Sequence, residues 1–553
     1  MELLSGKRGY LKQILVLIVL SYLFLMMGNS VLSLTNPDEV FYVQTAKEMM
    51  QQDSWMTPYL FGQPQFEKPI LTYWLLRTAF ELFGVSSFSA RFFPALFGIL
   101  GILGIYGLGL AIFKDWRRAM WAALVMMSSS LYIGLARTVF TDLFFTVFIF
   151  FSLALFYLAY LNNKMKMLCL LLAFVSSGLA VLTKGPLGFL VPGLAILMFL
   201  SIKKNIKFLF CKEALLGFAA FLLVSLPWYV LMVNKYGSAF IQEFFYNDHI
   251  RRLLEAEHRS NDSWYFYPAS ILGCIMPWGF YAIGAFGLLI SAVKKGISDT
   301  YLYLICWIAA TFVIFQPAHS KLVSYIFPLF PAVALIVGGY ISGALYDTNR
   351  PPRSFIFASW ATTLFFLLIP CGLVFATIHF SEYIISKPPV YLLAGFFLAY
   401  CIVLILLLSK RRFSIHAVLI SIILPALLYF AFIVHKDFDS YASSREACEL
   451  LTSKHKPEGK ILVSKFFARG VRFFTDREVV VMDISGSGYF SPHPVLYLNT
   501  NEGVKTFLVS QPVTYAVLRK GTFKDLKRIA SPDFDVELLN VCGDEHVVKV
   551  SRR

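Results

Sequence analysis

The stretch ILVLIVLSYLFLMMGNSVLSLTNPDEVFYVQ, Ile14 to Gln44, joins a long apolar run to two adjacent acids, Asp38 and Glu39. Lys7, Arg8 and Lys12 precede the run. The run covers about 13–35, is too long for a signal-peptide core, and lacks a small-x-small cleavage site, so it reads as an uncleaved first membrane span. The acids then stand where a membrane helix emerges into water.

Similar apolar runs recur down the chain. The 553 residues are 58% hydrophobic and only 15% charged, against roughly a quarter charged in ordinary soluble domains. Runs near 13–35, 88–113, 119–136, 139–161, 167–183, 187–202, 214–233, 265–293, 301–316, 323–345, 354–378, 389–409 and 413–434 predict about 13 transmembrane helices in a polytopic α-helical protein. The formal charge of +16 is scattered through short loops, and a nucleic-acid partner, which needs a concentrated basic face, is excluded. With the N-terminus in the cytoplasm and the spans alternating, the cytoplasmic segments hold 19 Lys and Arg. The short outside loops hold four: Arg137, Lys184, Lys321 and Lys387. That asymmetry sets the orientation and supports an odd number of spans.

Two outside segments are long, 36–87 and 234–264, and show helical spacing suited to the membrane interface. They are assigned with residues 1–435 to a membrane domain. From 436 the pattern changes. KILVSKFF, EVVVMD, VTYAVL and DVELLNV read as strands, Ser443–His455 and FKDLKRIA as helices, giving a soluble α/β domain over 436–553 on the outside. SGSGYFSPHP matches no nucleotide fingerprint and reads as a loop. Five cysteines, Cys169, Cys274, Cys306, Cys371 and Cys401, lie in apolar runs as small hydrophobes. Cys448 and Cys542 fall in the outside domain, where two thiols can pair.

The unusual polar residues gather on the outside: Asp38 and Glu39, Glu67 and Lys68, Arg137 and Asp142, Lys184, then His249, Arg251 and Arg252, and finally Lys321 and Tyr325. Ionisable groups in or beside membrane spans are costly and often functional. Each has a plainer reading. Asn36-Pro37-Asp38-Glu39 makes a good helix start, with Asn as cap and acids at the positive end of the dipole. Glu67 suits a solvated ion pair, Lys184 can snorkel, and His249 alone is an ordinary surface histidine. Asp142 has the poorest plain reading, because LFFTVFIFF follows it, and a structural pair with Arg137 is the alternative. Carboxylates beside Lys, Arg, His and Tyr at a membrane face suit group transfer between anionic amphipathic substrates. The cations neutralise a phosphate leaving group, and a carboxylate deprotonates a hydroxyl or holds a cationic sugar. With no nucleotide site, the activated donor must come with the membrane.

The acid pair, FEKPILTYW, ARTVFTD, LTKGP, DHIRR and SKLVSYIFP together resemble the lipid A 4-amino-4-deoxy-L-arabinose transferases. These belong to the multi-spanning GT-C glycosyltransferases, related to protein O-mannosyltransferases. The resemblance implies an inverting transfer of the aminosugar from undecaprenyl phosphate to lipid A phosphate, at the periplasmic face of the bacterial inner membrane. It implies Asp38 as the principal catalytic carboxylate and Asp142 as the second. It puts Tyr42, Glu67, Lys68 and His249 around the sugar and phosphate, with Glu67 and His249 a candidate divalent-metal pair. Glu39, Arg137, Lys184 and Arg251 join them as candidate substrate-binding groups, and Arg252, Lys321 and Tyr325 fall in the region that handles the lipid phosphate. One departure matters. The family carries Arg before the tyrosine of the first loop, whereas this chain reads Asp38-Glu39-Val40-Phe41-Tyr42, with Arg251 the candidate replacement. Another sugar, a glycan or protein hydroxyl as acceptor, a lipid or sugar transporter, and a receptor built on the outside domain are the remaining readings. A transporter places its polar groups near the midplane.

Overall fold

The computed structural model describes residues 7–251, 254–255, 263–294, 296–380, 387–433, 435–484 and 494–553. The chain divides into two compact units. One combines Met1–Met27 with Arg91–Ala431; the other combines Gly28–Ala90 with Phe432–Arg553. The sequence reading keeps 36–87 with the spans. The structure instead groups this segment with the C-terminal part of the chain.

The first unit is helical. Among the described residues, nine helices are long and apolar enough to cross a membrane, or up to 11 if two bent pairs each count as one span. The bent pairs are Trp116–Met127 with Ser130–Ala136 (65°) and Phe266–Cys274 with Gly279–Val293 (117°). Two further expected spans are the shorter apolar helices Leu187–Ile202 and Asp299–Phe315. Every one of the 13 expected runs is therefore helical, but the count of full-length spans is nine to 11. The first helical span ends at Met26, short of the expected 35. The bend after Met127 has a local cause: the Ser128 and Ser129 hydroxyls bond back to the carbonyls of Leu124 and Val125, which competes with the helix ladder. The most apolar 18-residue window of the Val323–Tyr346 segment is 94% buried. Packing around it is aromatic and close. Gly338, for example, lies so near the Ala122 backbone that an added Cβ would meet it at 2.3 Å. This is a multi-pass membrane protein.

The second unit is built on a six-stranded mixed sheet of order β5-β4-β3-β6-β8-β7. Its strands are β3 (Ile461–Ser464), β4 (Val479–Met482), β5 (Tyr497–Leu498), β6 (Val513–Leu518), β7 (Phe534–Cys542) and β8 (Glu545–Arg552). A separate two-stranded hairpin holds β1 (Tyr59–Leu60) and β2 (Gln63–Pro64). The pairs β3–β4, β3–β6 and β4–β5 are parallel, while β8 runs antiparallel to both β6 and β7. Strands β3 and β4 are buried at every position, as a covered parallel sheet requires. Each expected strand is present. The sequence reading missed β5, β8 and the helices Ala468–Thr475 and Asn501–Val509. The expected Ser443–His455 helix is Arg445–Leu450 followed by a wider turn, Leu451–His455. The loop around SGSGYFSPHP lies largely outside the described residues. Cys448 and Cys542 are both buried free thiols.

The Asp38–Gln51 helix belongs to the interior of this unit, with ten of its 14 residues buried. Polar ties hold it and the turn before it to the C-terminal segment. Lys47 pairs with Asp476 at 2.7 Å and donates to the Phe473 carbonyl at 3.1 Å. Glu48 is 1% exposed; it accepts from Gln44 Nε2 at 2.6 Å and Gly62 N at 2.8 Å, and faces Arg472 at 3.5 Å. Asn36 donates from its backbone to the Ala442 carbonyl and from Nδ2 to Ser444 Oγ at 2.7 Å. Removing the Glu48 carboxylate strands a buried N–H and a half-buried guanidinium. Glu48→Ala is expected to cost about 2–4 kcal/mol and to lower the thermal midpoint of the purified protein by several degrees. An unchanged midpoint would show that this tie does not hold the loop.

Ser444 passes the contact on, donating from Oγ to Glu545 Oε1 at 2.5 Å. Glu545 is 2% exposed. Burial pushes its carboxyl up to about 8, with Glu446 and Asp544 adding to the rise against the Ser444 hydrogen bond. An unfolded glutamate titrates near ~4.3, so the native state favours the protonated form. The stabilisation is full below about pH 4, declines as pH rises, and is lost above about 8. The thermal midpoint is therefore expected to fall between pH 5 and pH 8, and Glu545→Gln to flatten that fall. A wild-type midpoint that is flat, or rises, over this range would contradict the assignment.

Candidate active site

Each unit carries its own polar cluster. In the second unit the cluster is built on the first turn of the Asp38–Gln51 helix. Asp38 is exposed, whereas Glu39 is fully buried and accepts from Thr35 N at 3.0 Å and Thr35 Oγ1 at 3.2 Å. Glu39 thus reaches back to hold the turn that precedes the helix. Asn36, the expected cap, is drawn away by Ser444 and makes no side-chain cap. Of the two acids, Asp38 is the one left to face a substrate.

One and two turns further on, the helix meets the Leu71–Phe83 helix. The rings of Tyr42 and Tyr73 lie 6.2 Å apart. Gln65 Nε2 donates to the Tyr73 hydroxyl at 2.6 Å, and Gln65 Oε1 accepts from the Glu67 backbone at 3.0 Å. Burial holds the Tyr73 hydroxyl well above its ordinary range, reinforced by Tyr42 and Glu67 and opposed by Gln65 and Arg469. Tyr73 therefore stays a neutral hydroxyl across the physiological range. Lys68 is half-buried, with Nζ 3.1 Å from the Glu67 carbonyl. Asp38, Tyr42, Glu67 and Lys68 are the expected members here. Gln65, Tyr73 and Arg469 were not foreseen; Tyr73 does stand in the quoted FEKPILTYW stretch.

The first unit holds the second cluster. Asp142 opens the Thr141–Leu161 helix, and Lys184 closes the Lys166–Lys184 helix. Opposite helix ends thus bring them together, and Lys184 Nζ lies 2.5 Å from Asp142 Oδ1. The same ammonium sits 4.4 Å from the centroid of the Tyr325 ring. Asp142 and Lys184 side chains are 8% and 11% exposed, so each is the other's charge compensation. Asp142 therefore pairs with Lys184, not with Arg137. Arg137 instead donates to the carbonyls of Phe24 and Met27, at 3.1 and 2.8 Å, at the end of the first helix. That is a structural use of a guanidinium at the carbonyl end of a helix.

Lys321 is buried, with Nζ 3.5 Å from the Ser263 carbonyl. Arg251 makes an exposed pair with Glu255 at 2.9 Å on its own segment, leaving it a poor candidate to replace a cation at position 41. His249 lies on the Ile241–Arg251 helix, but its side chain falls outside the described residues, and Arg252 lies wholly outside them. Among the described residues no group of three or more His, Cys, Asp or Glu is placed to hold a metal ion. Glu67 alone of the expected pair is described.

Residues 11–239 match the family model of the dolichyl-phosphate-mannose-protein mannosyltransferases. The fold is that of ArnT from Cupriavidus metallidurans bound to undecaprenyl phosphate: TM-score 0.78 and 20% identity, covering 98% of both chains. At that identity the likeness shows the fold alone. Among curated relatives, the undecaprenyl phosphate-α-4-amino-4-deoxy-L-arabinose arabinosyl transferase of Edwardsiella ictaluri is 30% identical over 347 residues, 61% of this chain and 60% of the relative. That of Pectobacterium atrosepticum is 31% identical over 335 residues, 60% of this chain and 58% of the relative. The match thus spans about three fifths of these relatives' length. A more distant structure, the archaeal oligosaccharyltransferase AglB from Archaeoglobus fulgidus, aligns with TM-score 0.52 and 15% identity, covering 94% of this chain and 70% of that one.

Proposed function

We propose that this protein is an inverting glycosyltransferase that moves 4-amino-4-deoxy-L-arabinose from undecaprenyl phosphate to a phosphate of lipid A. The reaction takes place at the periplasmic face of the bacterial inner membrane, with the N-terminus cytoplasmic and the second unit periplasmic. The observation that carries the reading is the Asp142–Lys184–Tyr325 cluster, a buried ion pair at the ends of two membrane helices, in a chain with the fold of an undecaprenyl-phosphate-binding relative.

The chemistry follows from the charges. A lipid A phosphate oxygen attacks the anomeric carbon of the sugar. The bond from that carbon to the polyprenyl phosphate oxygen breaks, and undecaprenyl phosphate leaves with the electron pair. The acceptor phosphate is already ionised, so no strong base is needed. Asp38 orients the acceptor or the cationic amine of the sugar. Asp142 holds Lys184 ready, and Lys184 and Lys321 are the proposed counter-charges of a phosphate.

The mannosyltransferase family match over residues 11–239 favours a second reading, in which the acceptor is a protein or glycan hydroxyl and Asp38 acts as general base. Mass spectrometry of lipid A from cells with and without the protein separates the two. A gain of one aminopentose per phosphate supports the first. Unchanged lipid A beside a newly glycosylated protein or glycan supports the second.

A further inference from the structure

The position before Tyr42 is Phe41, which offers no donor to an anion. Its ring is 4% exposed and packs edge-on against Tyr42 at 5.0 Å. The guanidinium of Arg469 also lies over that ring, 4.4 Å from its centroid. Arg469 belongs to the Ala468–Thr475 helix, more than 400 positions away in the chain. It reaches the first loop because its neighbour is glycine: a Cβ on Gly470 would come within 2.2 Å of Asn36 Oδ1.

The guanidinium is poorly used by the protein itself. Its one long contact is Nη1 to the Pro37 carbonyl at 3.5 Å, and its Nε is buried with no hydrogen-bond partner among the described residues. A buried guanidinium N–H without a partner is costly, and the group is shaped to receive two oxygens of a phosphate. It stands beside the carbonyl that precedes Asp38 and acts electrostatically on the Tyr73 hydroxyl. Stacking on Phe41 fixes its plane, which lowers the entropy lost when an anion docks.

We propose that Arg469 is a phosphate-binding residue of the transfer site, supplied by the C-terminal α/β segment and aimed by Phe41. The inference rests on the glycosyltransferase reading above. Its ligand is a phosphate monoester or diester, carried by either the polyprenyl lipid or lipid A. Asp38 and Tyr42 would then receive their substrate against a cation that only the folded C-terminal segment provides, which gives that segment a role in the reaction.

The test uses the full-length protein in lipid nanodiscs, as wild type, Arg469→Gln, Arg469→Lys and the double variant Phe41→Arg/Arg469→Gln. Binding of undecaprenyl phosphate and the KM for lipid A are measured beside the thermal midpoint. Loss of one charge-assisted bidentate contact predicts a fall of about 10- to 100-fold for Arg469→Gln. A smaller fall is expected for Arg469→Lys, and recovery when Phe41→Arg returns a guanidinium from the other side. A fall in undecaprenyl phosphate affinity assigns the polyprenyl lipid as the source; a rise only in the lipid A KM assigns the acceptor. Unchanged binding and KM in Arg469→Gln, or a loss that Phe41→Arg does not restore, would overturn the inference. A wild-type protein that neither binds undecaprenyl phosphate nor transfers sugar overturns the glycosyltransferase reading and this inference with it; an active wild type with an unaffected Arg469→Gln overturns this inference alone.

Discussion

Asp38→Asn is expected to lower the rate of sugar transfer by about 10²- to 10³-fold while leaving the thermal midpoint unchanged. The two halves of that result come from the same helix turn. Asp38 is exposed. Glu39, its neighbour, is fully buried and holds the turn before the helix through Thr35. Glu39→Gln should therefore show the opposite pattern, a drop in stability of about 1–2 kcal/mol that precedes any effect on chemistry. The two acids look alike in the sequence, and burial separates them. Initial rates with purified donor and acceptor, beside a melting curve for each variant, check the pair. Full activity in Asp38→Asn would remove this carboxylate from the mechanism.

The second large effect is expected at Lys184. Its ammonium lies 2.5 Å from the Asp142 carboxylate, and both side chains are about nine-tenths buried. Lys184→Met leaves a carboxylate in an apolar surround without a counter-charge, which costs about 3–5 kcal/mol. The double variant Asp142→Leu/Lys184→Met removes both charges, and most of the lost stability should return, because a buried pair replaced by apolar groups of similar size is often neutral. Under the proposed mechanism activity should not return, since the cation assigned to the phosphate is gone. Recovery of both stability and transfer in the double variant would make the pair structural only.

The membrane part was legible because a span announces itself by composition. Each expected run is a helix among the described residues. What composition does not carry is where a run breaks. The serine hydroxyls at 128 and 129 end one helix through side-chain bonds to the backbone, and two further runs are helices too short for the full thickness. The strands of the C-terminal part were legible by their β-branched residues. β8 was missed because EHVVKVSR reads as a charged tail, and its pairing with β6 and β7 appears only in the fold.

The candidate site was legible in part, for a related reason. Asp142 and Lys184 each stand out as charges at the edge of apolar runs, and the structure brings them together. Arg137 stands out equally and turns out to serve carbonyls of the first helix. Nothing in the sequence links Asp38–Gln51 to residues 432–553. Side-chain ties make that link, among them Lys47–Asp476, Glu48–Arg472 and, just before the helix, Asn36–Ser444, and single contacts between distant segments leave no periodic trace. Arg469 is hidden for the same reason: the sequence reading gave ARGVRFF no element and no role, and only the fold lays its guanidinium on Phe41.

The most direct test is transfer by the purified protein in nanodiscs, given undecaprenyl-phosphate-linked 4-amino-4-deoxy-L-arabinose and lipid A and read by mass spectrometry. The account predicts one aminopentose added per lipid A phosphate, stoichiometric release of undecaprenyl phosphate, and near-complete loss of both in Asp38→Asn. Lipid A of unchanged mass, with the donor intact, would contradict it.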